Sequence, residues 1–257
     1  MFDLSLFLLL SALAVAAIVI ALPRHVTSLL RLRGETAVPV RLVKIGATFQ
    51  QSLMAVGLVA AGTWAAPRVG LEAPWFSAIL RGEGLGLSYA VAQLPAALIL
   101  GGLGTAAFLW LYYRIFRPRM APEAVSRTEE LRNSMGLVGR LAMGGVAEEL
   151  MFRWGVMSVL AWLVISVGGL PSVLGMWVAI VVSGVLFGVG HLPGVAAAGI
   201  SITRVIVAAA VVLNGLVALV FGWLFWQYGL LAAIVAHALV HAFWHPLERP
   251  RTRVNTR

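Results

Sequence analysis

Two adjacent glutamates, Glu148 and Glu149, are followed four residues after the second by Arg153, and His191, His237, His241 and His245 lie further along, in apolar runs or at their ends. A carboxylate can take a proton from water and an imidazole can hold or relay one; both also ligate metals. On a helix Glu149 and Arg153 stack on one face, while Glu148 is turned by about 100° toward another. That geometry predicts a division of labour. Glu149 pairs with Arg153 as a neutral buried clamp, and Glu148 is left to point into a cavity as a general base. A plainer reading stays open beside it, an ion pair near the headgroups with the second glutamate reaching out to water. His237 and His241 are also four apart and share a helix face, although a lone histidine in such a place is usually a packing or interfacial residue.

These groups need positioning inside a chain that is 61% hydrophobic and 11% charged over 257 residues, with a mean hydropathy of +0.95. No soluble core of that length requires so much apolar sequence. An integral membrane protein is therefore expected. A charge at the centre of a bilayer costs about 2.5–3.5 kcal/mol on insertion scales, so Glu148, Glu149 and Arg153 need partners. The chain has no cysteine, which excludes disulfides, thiolate metal sites and a cysteine nucleophile. Its net charge of +9 falls mainly between apolar runs, where it sets topology and meets anionic lipid; no nucleic-acid partner is expected.

The apolar runs give seven spans: Leu4 to Leu22, Leu42 to Ala66, Leu87 to Tyr113, and about Val146 to Val167, Ser172 to Gly190, Arg204 to Trp226 and Leu230 to His245. Met135 to Gly145 is either an amphipathic lead-in to the fourth or its extension, and an eighth helix is open. The fold class is an all-α polytopic transmembrane bundle of seven to eight spans. It divides into N-terminal spans and a cytoplasmic loop (1–134), a catalytic helical core (135–246) and a basic tail (247–257). Trp75 and Phe76 are expected as an aromatic anchor at the interface, and His25 and His245 as interfacial residues without a role.

Arg24, Arg31, Arg33, Arg41 and Lys44 follow the first span, whereas Asp3 precedes it. The positive-inside rule then puts the N-terminus outside and the arginine-rich segment 114–134 in the cytoplasm, together with the tail of Arg249, Arg251, Arg253 and Arg257. In that topology Glu148 comes early in an ascending span, His191 late in a descending one, and His237 and His241 in the cytoplasmic half of another. Four groups from three separate runs share one depth. Unrelated polar residues would scatter, so a functional site toward the cytoplasmic side is expected.

The order and spacing Glu148-Glu149-x-x-x-Arg153, Phe187-x-x-x-His191, and His237 with a polar group four later resembles the CAAX-protease and bacteriocin-processing (CPBP) family of intramembrane proteases. Its eukaryotic branch is the type II CAAX prenyl endopeptidase. The resemblance spans about Met135 to His245. It implies that Glu148 and His191 activate a water for attack on a peptide carbonyl, that Glu149, Arg153 and Phe187 support them, and that His237 and His241 stabilise the oxyanion. The family usually has asparagine where this chain has His241. Neutral histidine still donates one hydrogen bond, and also adds a candidate ligand.

Glu148, His191 and His237 would make a zinc set of nitrogen and oxygen donors with one open position. No His-Glu-x-x-His helix exists, and ligation would consume Glu148 as base. A water held between Glu148 and His191 is therefore preferred, with Zn²⁺ second and no cofactor certain. The expected function is an intramembrane endopeptidase of CAAX-protease type acting on a membrane-associated peptide or protein. Its preference for Arg over Lys points to a prokaryotic plasma membrane. Two other readings remain: a non-catalytic bacteriocin-immunity or scaffold protein, and a proton-coupled transporter, which Asn214 and the lack of a polar path through the first three spans disfavour. Besides lipid and substrate no partner is indicated, and oligomeric state is open.

Overall fold

A computed structural model describes residues 2–34 and 38–248, so the expected arginine tail lies outside the described residues. Among the described residues there are helices and no strands, and seven helices are long and apolar enough to cross a membrane. Helix α1 (Leu4–Arg33) starts where Asp3 accepts a hydrogen bond from the Leu6 amide at 2.9 Å, an N-cap that satisfies one of the helix's free donors. Helix α2 (Val40–Ala65) ends in the short turn Ala66–Val69 around Pro67. Helix α3 (Pro74–Leu80) is short, and α4 (Leu87–Leu111) runs on through Tyr112–Phe116 to Arg119.

Two expectations change here. Phe76 is 3% exposed, because α3 turns it into the core instead of leaving it at the interface; Trp75 next to it donates to the Leu85 carbonyl at 3.0 Å. The polar segment before the fourth span is not a loop throughout. Helix α5 (Pro122–Arg140) leads directly into that span, giving one stretch from Pro122 to Val167. A kink at Gly136, where φ is +63°, separates its polar part from its apolar part; only glycine takes that conformation without strain. The eighth span is thus absorbed into a longer fourth.

Beyond Arg140 the helix widens into two π-helical segments, Leu141–Glu148 and Leu150–Met157, before α6 (Ser158–Trp162) and a further wide turn, Leu163–Val167. Such wide turns re-aim side chains and recur at functional sites. Helix α7 (Ser172–Gly190), the short α8 (Leu192–Ala197), α9 (Arg204–Tyr228) and α10 (Leu230–Leu247) complete the bundle.

The widened helix is the centre of the packing. Segment Leu141–Glu148 lies between α1 and α10, while Leu150–Met157 lies against α2 and α7; α7 packs on α9, and α4 on α10. Close approach depends on small residues, as it commonly does between membrane helices. A Cβ on Gly188 would sit 2.7 Å from the Ala210 carbonyl oxygen of α9, and one on Gly101 2.8 Å from Ala236 of α10. Trp154 is buried and donates to Thr63 Oγ1 of α2 at 3.1 Å, which ties the second span to the fourth. Large apolar residues such as Leu42, Phe49, Leu103 and Val181 cover the outside, where lipid would meet them.

Candidate active site

Glu149 is fully buried and Arg153 is 2% exposed, as an intramembrane pair must be. Glu149 Oε2 lies 3.2 Å from Arg153 Nε, close enough for charge pairing although not aligned as a hydrogen bond. The Arg153 guanidinium also rests over the rings of Phe187 and Phe221, at 5.0 and 5.6 Å, so aromatic faces supply what a second carboxylate would otherwise supply. A second bond was not foreseen from spacing. Glu149 Oε1 lies 2.7 Å from His237 Nδ1, across from the fourth span to α10. One carboxylate therefore holds both a cation and an imidazole.

Glu148 faces differently, as the turn of the helix requires. Its side chain is 19% exposed, and its Oε2 is 3.9 Å from His237 Nε2, beyond a normal hydrogen bond. His191 sits at the hinge between α7 and α8, where its Nδ1 is 2.7 Å from the Phe187 carbonyl oxygen. A carbonyl only accepts, so Nδ1 carries the proton and the other nitrogen of the neutral ring, Nε2, is an acceptor. The rings of His191 and His237 both meet Phe187 edge-on, at 4.7 and 6.1 Å between centroids. Phe187 is thus the wedge between the two histidines. No direct hydrogen bond joins Glu148 to His191.

His237 is sandwiched. Phe221 stacks on it at 4.9 Å, and His241 stacks at 5.1 Å with planes 21° apart. Both ring nitrogens of His241 are buried and have no hydrogen-bond partner among the described residues. Its Nε2 lies so close over Gly144 that a Cβ there would collide with it. The glycine next to the glutamate pair is therefore required by the histidine on the facing helix. Nothing in the one-dimensional spacing announces that contact, or the roles of Gly144 and Phe221 in it; the Gly144-Gly145 pair was the one available signal.

Of the predicted residues, Glu148, Glu149, Phe187 and His241 lie against the His237 ring, while Arg153 joins them through Glu149 and His191 through Phe187. His245 does not join them. It is 8% exposed and buried near the end of α10, not interfacial, because α10 packs against α5 there. Asn214 stays out as well, its amide donating to Ala210 O within its own helix. Among the described residues no three His, Asp or Glu side chains converge as metal ligands. The Nδ1 of His237 is held by Glu149 and that of His191 by the Phe187 carbonyl, which leaves the Nε2 of each ring as the nitrogen open to a ligand or a water.

A second buried polar group closes the end of the core where α10 finishes. Glu248 accepts from Arg132 Nη2 and Nε at 2.5 and 2.9 Å and lies 2.8 Å from Arg140 Nη2. Arg132 also donates to Tyr112 Oη at 3.0 Å and stacks over Trp244 at 4.4 Å. This clamp joins α5 to the end of α10, and spacing alone did not suggest it, since its members are more than a hundred residues apart.

Comparison with known proteins places the same segment in a family. Residues 132–243 match the model described as type II CAAX prenyl endopeptidase Rce1-like, a range that contains every residue of the His237 cluster. No curated protein and no solved structure matches the chain. The stretch from Arg132 to Phe243, somewhat under half of the chain, is accordingly similar to the type II CAAX prenyl endopeptidase Rce1-like family.

Proposed function

We propose that the chain hydrolyses a peptide bond of a membrane-associated peptide or protein, using a water held between Glu148 and His191. The observation that carries this reading is the tautomer of His191. With Nδ1–H committed to the Phe187 carbonyl, its Nε2 can accept one hydrogen of a water. The partly exposed Glu148 carboxylate accepts the other and removes it as the oxygen attacks the carbonyl carbon. The proton then passes to the departing amine, so that the peptide C–N bond breaks and both products leave neutralised.

The oxyanion falls to His237 and His241. Because His237 gives its Nδ1 proton to Glu149, its Nε2 can donate only when the ring carries both protons. His241 adds an N–H that no described residue accepts. Donors that are buried and held before substrate arrives are the effective kind for a developing negative charge. Charge placement in the loops favours a site opening toward the cytoplasm.

The test is a purified full-length protein in lipid vesicles with a model peptide. Glu148→Gln should keep peptide binding and lose cleavage by 10²-fold or more, on the order expected for removal of a general base. Equal cleavage by Glu148→Gln and the parent would sink the assignment. A parent protein that binds the peptide without cleaving it, and binds it equally well as Glu148→Gln, would favour a binding protein.

A further inference from the structure

Five amide side chains lie within α2, α4 and α9; Gln227 is the penultimate residue of α9, at the end of its span, and of the four in mid-span three are satisfied inside the molecule. Gln51 donates to Met151 Sδ, Gln93 bonds the Tyr89 carbonyl and the Ala232 amide, and Asn214 bonds the Ala210 carbonyl. Gln50 is the exception. It is exposed on the outer face of α2 and makes no side-chain hydrogen bond among the described residues. It stands six residues beyond Lys44 and fifteen before Ala65, about 9 and 22 Å along the helix, inside the depth that hydrocarbon occupies. An amide there has no water to turn to.

Its neighbours on the helix suit close approach by another helix. Gly46, Gln50, Leu53 and Gly57 follow at intervals of four, three and four, the repeat of a helix–helix seam, and all four are exposed. A Cβ on Gly46 or on Gly57 would meet nothing within 4 Å, so these glycines are not used by the packing of this chain. Small residues flanking one polar side chain are what associating membrane helices present, and a single polar seam position fixes register. The span carrying them is the least enclosed of the seven, with 11% of its apolar window buried.

We propose that α2 is a self-association surface on which a second copy of this chain docks, with Gln50 hydrogen-bonding Gln50 of the second copy across a twofold axis. The carboxamide holds donor and acceptor together, so an identical side chain across such an axis satisfies both at once. A second copy is therefore the occupant that leaves no polar group over. The surface lies on a different helix from the His237 cluster, and its test is independent of cleavage.

The chain lacks cysteine, which makes crosslinking clean. Leu53→Cys, at a position 63% exposed on the seam, and Leu103→Cys, at one 64% exposed on α4, would each be oxidised in full-length protein at low density in lipid vesicles. Leu53→Cys is expected to form a disulfide dimer and Leu103→Cys to stay largely monomeric. Adding Gln50→Leu should weaken association five- to tenfold in dissociation constant, read by fluorescence transfer between labelled copies, as expected for losing two interhelical hydrogen bonds. Gly57→Leu should abolish it while the fold is retained, since the added side chain meets only open space. Equal crosslinking at 53 and 103 would overturn the proposal. So would association indifferent to both substitutions, or a Gln50→Leu effect confined to peptide cleavage, which would make the amide a substrate contact.

Discussion

Glu149 Oε1 and His237 Nδ1 are 2.7 Å apart, so the carboxylate that pairs with Arg153 is the same one that orients the imidazole. The two adjacent glutamates therefore differ in more than direction. Glu149 is fully buried between a cation and a histidine, where its loss leaves two groups unpaired; Glu148 touches only the far edge of that histidine and keeps some exposure.

Stability should separate the two. Glu149→Ala strands a buried guanidinium and is expected to cost about 3–5 kcal/mol, the range for breaking one side of a buried pair. Glu148→Gln should cost less than about 1 kcal/mol while removing cleavage. Unfolding of both variants in mixed micelles by denaturant titration measures this. Similar losses for the two would mean that Glu148 is also a structural partner.

Gly144 and His241 make a steric prediction. A methyl group on Gly144 runs into His241 Nε2, so Gly144→Ala should push the ring out of its stack on His237 and lower cleavage at least tenfold, with a cost of about 1–3 kcal/mol from overpacking. In a His241→Ala background the same substitution should cost under about 0.5 kcal/mol, because the colliding atom is gone. A double-mutant cycle checks the coupling, and additive effects would show that the ring is not what Gly144 accommodates.

The bundle was legible because its signals are compositional. Apolar length, arginine-rich gaps and flanking glycine and proline mark seven spans without any knowledge of packing, and the four-residue step from Glu149 to Arg153 is local geometry that any helix enforces. What escaped is contact across helices. The bond from Glu149 to His237 joins residues 88 apart, and the clamp of Arg132, Arg140 and Glu248 joins residues more than a hundred apart. Periodicity carries no term for such pairs. Phe76 and His245 were misplaced for a related reason, since an aromatic or a histidine near a span end reads as interfacial until a neighbouring helix is seen to cover it.

Metal dependence follows from the donor set. With no three ligands converging among the described residues, cleavage should persist unchanged after exhaustive chelation, with less than about 0.1 mole of zinc per mole of protein by elemental analysis, on the order expected for adventitious metal alone. Activity that falls on chelation and returns in proportion to added zinc would require Glu148, His191 and His237 to converge on the ion, and would refute the water-only mechanism.

The clamp at the end of α10 yields the last prediction. Arg140 is buried; its Nε donates to the Arg132 carbonyl and its Nη2 to Asn133 Oδ1, both neutral, so its charge is balanced by Glu248, which Arg132 shares. Glu248→Ala leaves two guanidiniums facing each other in a poorly solvated site and should destabilise the protein by about 3 kcal/mol or more. It should also free the end of α10 that carries His237 and His241, so that limited proteolysis near residues 245–248 becomes faster than in the parent. Replacing the whole group, as Arg132→Met, Arg140→Met and Glu248→Leu together, removes the buried charges as well as their pairing. Such replacements are often neutral in stability, so the triple variant should recover most of what Glu248→Ala loses. A triple variant as unstable as the single one would mean that the group's geometry, and not the balance of its charges, anchors the helix.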